Sequence, residues 1–228
     1  ISMGLLLIFY FAALPVLAFF GQEFKALPQA VRVFIVVVPH QLLFLAGIFF
    51  TAAFAGSPAK AGEISSRLGF LPCRLSDLWT GALLILLVFP LSSIVNSLIY
   101  IVSSYIGFKL PLPAVNELLK TTSWPGFSII AFGALVLAPL GEEIIFRRII
   151  FCFATKYVSV IGAAVISSAA FAAVHFNVTH FAGLFVLGLA LQFLYIRSRS
   201  LYPCVLLHFI QNLISISGIL ALKLTVLN

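Results

Sequence analysis

Apolar residues fill long, continuous runs along the chain, and short polar connections separate the runs. A run of about 20 apolar residues is long enough to cross the hydrocarbon core of a bilayer as a helix. The pattern therefore predicts an all-α bundle of about seven to eight transmembrane helices. The predicted spans are Met3–Phe20, Val31–Phe54, Leu78–Ile106, Phe127–Phe153, Val158–Phe176, Phe181–Ile196 and Leu201–Leu222.

The connections between the runs indicate a single transmembrane domain over residues 1–228, because no polar stretch is long enough for a soluble domain. The third run is long for one crossing and contains Pro90, which predicts a tilt, a kink or a re-entrant break. We expect short interfacial helices in the two longest connections, Ala55–Asp77 and Lys109–Pro125. No basic segment precedes the first run, so we expect a retained span there.

Composition supports a membrane protein. The chain is 63% hydrophobic and 8% charged, whereas soluble domains are about half apolar and about a quarter charged. Its net charge of +7 would suggest nucleic acid as a partner of a soluble protein. Here Lys and Arg lie mainly between apolar runs, which favours contact with the lipid bilayer and no nucleic acid. The three cysteines have no CxxC spacing and are interpreted as free thiols.

One cluster of charges, in the stretch LAPLGEEIIFRR, interrupts the fourth predicted span. A charge at the bilayer centre costs at least about 2.5–3.5 kcal/mol, so these residues need partners or a function. Glu143 and Arg147 are four residues apart and can pair on one helix face. Glu142 points about 100° away and stays free to accept a proton. The alternative is a helix that ends near Ile145 with its charges among the headgroups, but the apolar residues 149–153 argue against it.

Two downstream spans carry histidines at helical spacing. Phe171 and His175 are four residues apart in the fifth span, and His208 and Asn212 are four apart in the seventh. In an antiparallel hairpin, Glu142 and His175 lie at similar depth because they are similarly far from the connecting turn. The pattern predicts that an acid, two imidazoles and an amide line one cavity.

The chain resembles the CPBP family, named after CAAX proteases and bacteriocin-processing enzymes and also called Abi. The stretches EEIIFR, FAAVH and HFIQN match that family's motifs EExxxR, FxxxH and HxxxN in order and spacing. The similar region covers about residues 127–222, whereas residues 1–126 carry no matching motif. The resemblance implies an intramembrane endopeptidase like the type II CAAX prenyl endopeptidases. Its partner would be a membrane-bound protein or peptide substrate, prenylated or leader-bearing, and its location a prokaryotic cell membrane.

The resemblance also implies roles for the motif residues. Glu142 would activate a water molecule with help from His175, and His208 and Asn212 would supply donors to the oxyanion. Catalysis without a metal is favoured. The alternative is a Zn²⁺ ion held by Glu142, His175 and His208, although HExxH is absent. The supporting residues would be Glu143, Arg147 and Phe171.

Three rival functions follow from the same residues. A proton-coupled transporter would use intramembrane carboxylates and histidines, but the sequence shows no repeat. A haem-binding bundle would use paired histidines, but it leaves the glutamates and Arg147 unexplained. An inactive scaffold is disfavoured because no motif position is lost. We interpret His40 as a helix-packing residue. We interpret His180 as a solvated loop histidine, with a position at the mouth of the cavity as the alternative.

Overall fold

The computed structural model describes residues 61–108, 123–175 and 178–227, with a few isolated positions between residues 27 and 49. The first two predicted spans, His40 and most of the connection Lys109–Pro125 lie outside the described residues. The continuous described segments are helical and contain no strand, which confirms the all-α class. Their helices are α1 (Ala61–Leu68), α2 (Leu75–Tyr105), α3 (Trp124–Ala154), α4 (Val160–Ala173), α5 (Phe181–Ser198) and α6 (Tyr202–Leu227).

Four of these helices, namely α2, α3, α5 and α6, are long and apolar enough to cross a membrane. The predicted count of seven to eight spans is therefore not confirmed by the described residues. The predicted span Val158–Phe176 is shorter than expected, because α4 has only 14 residues. At about 1.5 Å per residue it covers roughly 21 Å, less than the roughly 30 Å of a bilayer core.

The ends of α4 explain its length. The Ser159 side chain accepts a hydrogen bond from the backbone N–H of Gly162 at 3.1 Å and so caps the first turn. At the other end, the His175 side chain bonds to the Phe171 carbonyl at 2.7 Å. That carbonyl is the acceptor that the backbone N–H of His175 would use in a longer helix, so the side chain competes with the next turn.

The long third run forms one continuous helix. Pro90 lies inside α2, which runs through 31 residues without a break. Of the predicted tilt, kink or re-entrant break, the break is therefore excluded. At about 1.5 Å per residue α2 spans roughly 46 Å, so it tilts or extends beyond the hydrocarbon core.

The helices alternate in direction. We call the end where α2 and α6 begin and α5 ends the basal end, and the opposite end, where α5 begins, the apical end. Backbone bonds fasten the basal end, with the Leu201 N–H donating to the Gly69 carbonyl at 3.0 Å. An ion pair adds to this contact, since Arg197 Nε lies 3.2 Å from the carboxylate of Asp77 at the start of α2.

Close packing of α4 against α5 brings the motif helices together. A Cβ added at Gly188 of α5 would lie 3.0 Å from Ser168 Cβ and 3.1 Å from Ser168 Cα on α4. Small residues at such points let transmembrane helices approach closely. Next to this contact, the rings of Phe171 and Phe146 meet edge to face with centroids 5.4 Å apart, joining α4 to α3.

Candidate active site

The glutamates lie on a locally irregular part of α3. A π-helical segment precedes them at Gly133–Leu137, and a second follows at Ile144–Phe151. Such segments are rare and occur frequently at functional sites. Between them, Ala138–Glu143 is α-helical. Consecutive side chains there diverge by about 100°, which sends the two carboxylates to different environments.

Glu143 lies in the interior and has two partners. Its Oε2 atom is 3.0 Å from Arg147 Nε, and neither side chain is exposed. Its Oε1 atom is 2.8 Å from His208 Nδ1. The predicted Glu143–Arg147 pair is present, but the three guanidinium nitrogens make no hydrogen bond of good angular geometry with the described residues. Electrostatic attraction between the two charges therefore holds the pair. The guanidinium also makes a cation–π contact, with its central carbon 4.7 Å from the centre of the Phe171 ring.

Glu142 faces both imidazoles. Its Oε2 atom lies 4.0 Å from His175 Nε2 and 3.8 Å from His208 Nε2, so the predicted convergence of three helices is present. These distances are too long for direct hydrogen bonds but suit a bridging water molecule. The Glu142 side chain is 25% exposed, in contrast to the fully buried Glu143.

Hydrogen bonds at Nδ1 fix the tautomers of both histidines. The Phe171 carbonyl can only accept a bond, so Nδ1 of His175 carries a proton. The carboxylate of Glu143 likewise accepts from Nδ1 of His208. When the two imidazoles are neutral, their Nε2 atoms are therefore acceptors, and both face Glu142.

Asn212 lies in the same cavity and is tied to α3. Its Nδ2 atom donates to the Ala134 carbonyl at 2.7 Å, within the first π-helical segment. This bond uses one of the two N–H groups of the amide. The second N–H group remains for a ligand in the cavity that Asn212 lines.

The cavity has a volume of about 480 Å³ and extends from Glu142 to the start of α5. Sequence reasoning missed several of its polar residues, because isolated Ser, Asn and Gln in an apolar run give only a weak signal. His180 lines the cavity as well, which agrees with its alternative interpretation at the cavity mouth, and burial lowers the pKa of its imidazole. The polar residues missed are Ser92, Asn96, Gln211 and Ser215.

The chemistry of Glu142, His175 and His208 suits a divalent metal ion, since each presents an acceptor and each imidazole is held at Nδ1. Their spacing does not fit as it stands. Tetrahedral zinc ligands lie about 3.3–3.4 Å apart, whereas Glu142 Oε2 is 3.8–4.0 Å from the nitrogens. Among the described residues, no group of three His, Cys, Asp or Glu side chains is arranged to hold a metal ion.

Long apolar helices around a cluster of glutamate, histidine and asparagine define an integral membrane protein with a polar intramembrane site. Comparison with protein families narrows the class. The family model for Rce1-like type II CAAX prenyl endopeptidases matches residues 124–214, which confirms the resemblance inferred from the three motifs. This segment covers less than half of the chain but includes every predicted site residue. Searches of curated proteins and of solved structures returned no match.

Proposed function

We propose that the protein is an intramembrane endopeptidase in which Glu142 activates a water molecule. One observation carries the proposal: Glu142 Oε2 lies 3.8 and 4.0 Å from two imidazole nitrogens, inside the segment that matches a protease family. The Oε2 atom is shielded from solvent and makes no hydrogen bond with the described residues, so a water molecule between it and the two imidazole acceptors would supply the bond that it lacks.

The mechanism begins with orientation of this water. A water molecule has two protons, so it donates to two of the three acceptors and directs a lone pair into the cavity. Glu142 then takes a proton as the water attacks the substrate carbonyl, and His175 supports the attack through its Nε2 atom. When the tetrahedral intermediate collapses, the peptide C–N bond breaks and Glu142 returns the proton to the leaving amine. The Glu142 side chain lines the cavity and is 25% exposed, and hydrolysis requires that a water molecule enter from this cavity.

The tetrahedral intermediate needs donors for its oxyanion. The second N–H group of Asn212 supplies one without further change. His208 supplies another only when it is protonated at Nε2, because its Nδ1 proton is committed to Glu143. In that form Glu143 Oε1 still accepts the hydrogen bond from His208 Nδ1. We therefore assign Glu143 to support His208, and Arg147 to hold Glu143 in place.

The proposed substrate is a membrane-associated protein or peptide. An active site between membrane helices favours chains that are held at the bilayer by a lipid group or an apolar segment. Prenylated C-terminal peptides and leader-bearing precursors are both included, and a prokaryotic host membrane stays a prediction. A transporter, a haem-binding bundle and an inactive scaffold are not favoured by the family match.

A direct test uses the purified protein in lipid nanodiscs and a pool of internally quenched peptides, each with and without S-farnesyl cysteine. We expect the native protein to cleave some of the pool. Glu142→Gln keeps the shape of the side chain but removes the base, so cleavage should fall by at least about 10²-fold. Glu63→Gln, the same change on exposed α1, is the matched control and should cleave normally. Full cleavage by Glu142→Gln would contradict the proposal.

A further inference from the structure

One wall of the cavity comes from outside the segment that matches the family. Ser92 and Asn96 of α2 line the cavity, and they lie before residue 124, where the family match begins. They are four residues apart and share one helix face. Helix α2 packs against both α5 and α6. Residues 1–126, which carry no family motif, therefore contribute polar groups to the cavity beside the glutamate and histidines.

The amide of Asn96 is held in one orientation. Its Oδ1 atom accepts a hydrogen bond from the backbone N–H of Gly183 at 2.9 Å. Only the oxygen can accept that bond, so the amide orientation is fixed by its partner. Ser92 Oγ donates to the Gly183 carbonyl at 3.0 Å and holds the same residue from one helical turn away. A Cβ at residue 183 would collide with the Asn96 side chain, so glycine permits this close approach.

The Asn96 amide therefore has a free donor group. Its Nδ2 atom has two N–H groups and makes no hydrogen bond with the described residues. With its oxygen bonded to Gly183, the Asn96 amide has two N–H donors that no described residue uses.

On the α6 side of the cavity, one polar side-chain atom has no hydrogen-bond partner among the described residues. Gln211 lines the cavity, and its Oε1 atom is shielded from solvent without a hydrogen bond to the described residues. Leaving such a group unpaired costs free energy. A ligand that supplies polar groups to both walls would remove this cost. A peptide backbone does so, since its carbonyl accepts from Asn96 and its N–H groups donate to an amide oxygen.

We propose that Asn96 on α2 and Gln211 on α6 bind the substrate backbone in the cavity, and that Asn96 is a substrate-binding residue contributed from outside the family segment. This inference rests on the proposed endopeptidase function. These two residues select an extended peptide with accessible backbone groups. The side chains at the bound positions do not affect this binding. Neither residue takes part in the proton transfers at Glu142.

The test separates substrate binding from the anchoring of α5. Asn96→Asp keeps an oxygen for the Gly183 N–H but removes the Nδ2 donor. Ser92→Ala does the reverse: it removes a hydrogen bond that holds Gly183 of α5 and leaves the Nδ2 donor of Asn96 in place. Gln211→Met keeps the length of the side chain and removes its amide. All three variants are assayed in nanodiscs with the best-cleaved peptide of the quenched pool.

We expect Asn96→Asp and Gln211→Met each to raise KM by about 3- to 10-fold with kcat nearly unchanged, which is the signature of lost uniform binding. The pH profile of kcat should stay that of the native protein, because a new charge acting on Glu142 would shift it. An anchoring role alone predicts the opposite pattern, with Ser92→Ala impaired and Asn96→Asp native-like. That pattern, or an unchanged KM in both variants, would overturn the inference.

The two proposals fail in different ways. If neither the native protein nor any variant cleaves the pool, or if Glu142→Gln cleaves as fast as the native protein, the endopeptidase function itself is wrong. If the native protein cleaves and Glu142→Gln does not, an unchanged KM in both Asn96→Asp and Gln211→Met removes only the backbone-binding role.

Discussion

Two adjacent glutamates occupy different environments on one helix. Glu143 is fully buried between Arg147 and His208, whereas Glu142 reaches the cavity. The pairing with Arg147 could be predicted because residues four apart share a helix face. The bond to His208 could not, because it depends on how α6 packs against α3. Spacing along one helix therefore predicted the Glu143–Arg147 pair. It did not predict the hydrogen bond between Glu143 and His208, which joins two helices.

Removal of Arg147 tests the buried pair. Arg147→Ala leaves the Glu143 carboxylate buried without its cation, so we expect a loss of roughly 3–5 kcal/mol of stability. Thermal unfolding of the purified protein in detergent measures the change. The matched control is Arg197→Ala, which breaks an ion pair whose arginine side chain is 49% exposed and should cost at most about 1 kcal/mol. Equal melting temperatures for native protein and Arg147→Ala would show that the pair does not stabilise the fold.

Metal dependence is a second prediction at this scale. The spacing around Glu142 suits a water molecule better than zinc, so cleavage should survive treatment with 1,10-phenanthroline. Elemental analysis of the active protein should find no stoichiometric zinc. Stoichiometric zinc that is lost in both His175→Ala and His208→Ala, together with activity restored by zinc after chelation, would replace the metal-free mechanism with a metal-assisted one.

At the scale of elements, the irregular helices set the geometry of the site. The hydrophobic pattern located α2, α3, α5 and α6 to within a few residues. The fifth predicted span, Val158–Phe176, likewise ends within three residues of α4. The pattern missed the π-helical segments of α3, because hydropathy does not encode the side-chain bonds made to them. One such bond is made by Ser167 of α4, whose Oγ donates to the Phe146 carbonyl within the second π-helical segment at 2.6 Å.

Two neighbouring serines test this bond. Ser167→Ala removes a buried hydrogen bond between α4 and α3, and we expect it to lower stability by about 0.5–1.5 kcal/mol. Ser168→Ala removes a buried hydroxyl that has no partner among the described residues, so it should leave stability unchanged or raise it. Melting temperatures in the same detergent compare the two variants. Equal losses for both would mean that the Ser167 bond does not hold the segment.

At the scale of the whole molecule, helices of unequal length create the cavity. Helices α2 and α3 are each 31 residues long, whereas α4 has 14 and α5 has 18. Because Asn96 holds Gly183, this residue lies about 13 Å below the apical end of α2, at roughly 1.5 Å per residue. Helix α5 begins two residues earlier, at Phe181, which is about 10 Å below that end. The all-α class and the meeting of the three motifs could be predicted from the sequence. The contribution of α2 could not, because its serine and asparagine match no motif.

Cysteine labelling tests whether water reaches the cavity. In a variant with Cys73, Cys152 and Cys204 replaced by alanine, Ser215→Cys places a thiol in the cavity lining. It should react with a charged methanethiosulfonate reagent at least about tenfold faster than Leu213→Cys, because the thiolate forms only where water reaches it. Leu213 is exposed on α6 and is not part of the cavity lining, so it is the control for contact with lipid. Equal rates would contradict a water-filled cavity.

The most direct test of the central claim compares membrane proteomes of cells that express the native protein or Glu142→Gln at equal levels. Mass spectrometry of protein termini detects a cleavage product whichever membrane protein is the substrate. A peptidase that depends on Glu142 predicts at least one new terminus in a membrane-associated protein, present with the native protein and absent with Glu142→Gln. The same set of termini in both samples, with both proteins folded and in the membrane, would contradict the assignment of Glu142 as the catalytic base.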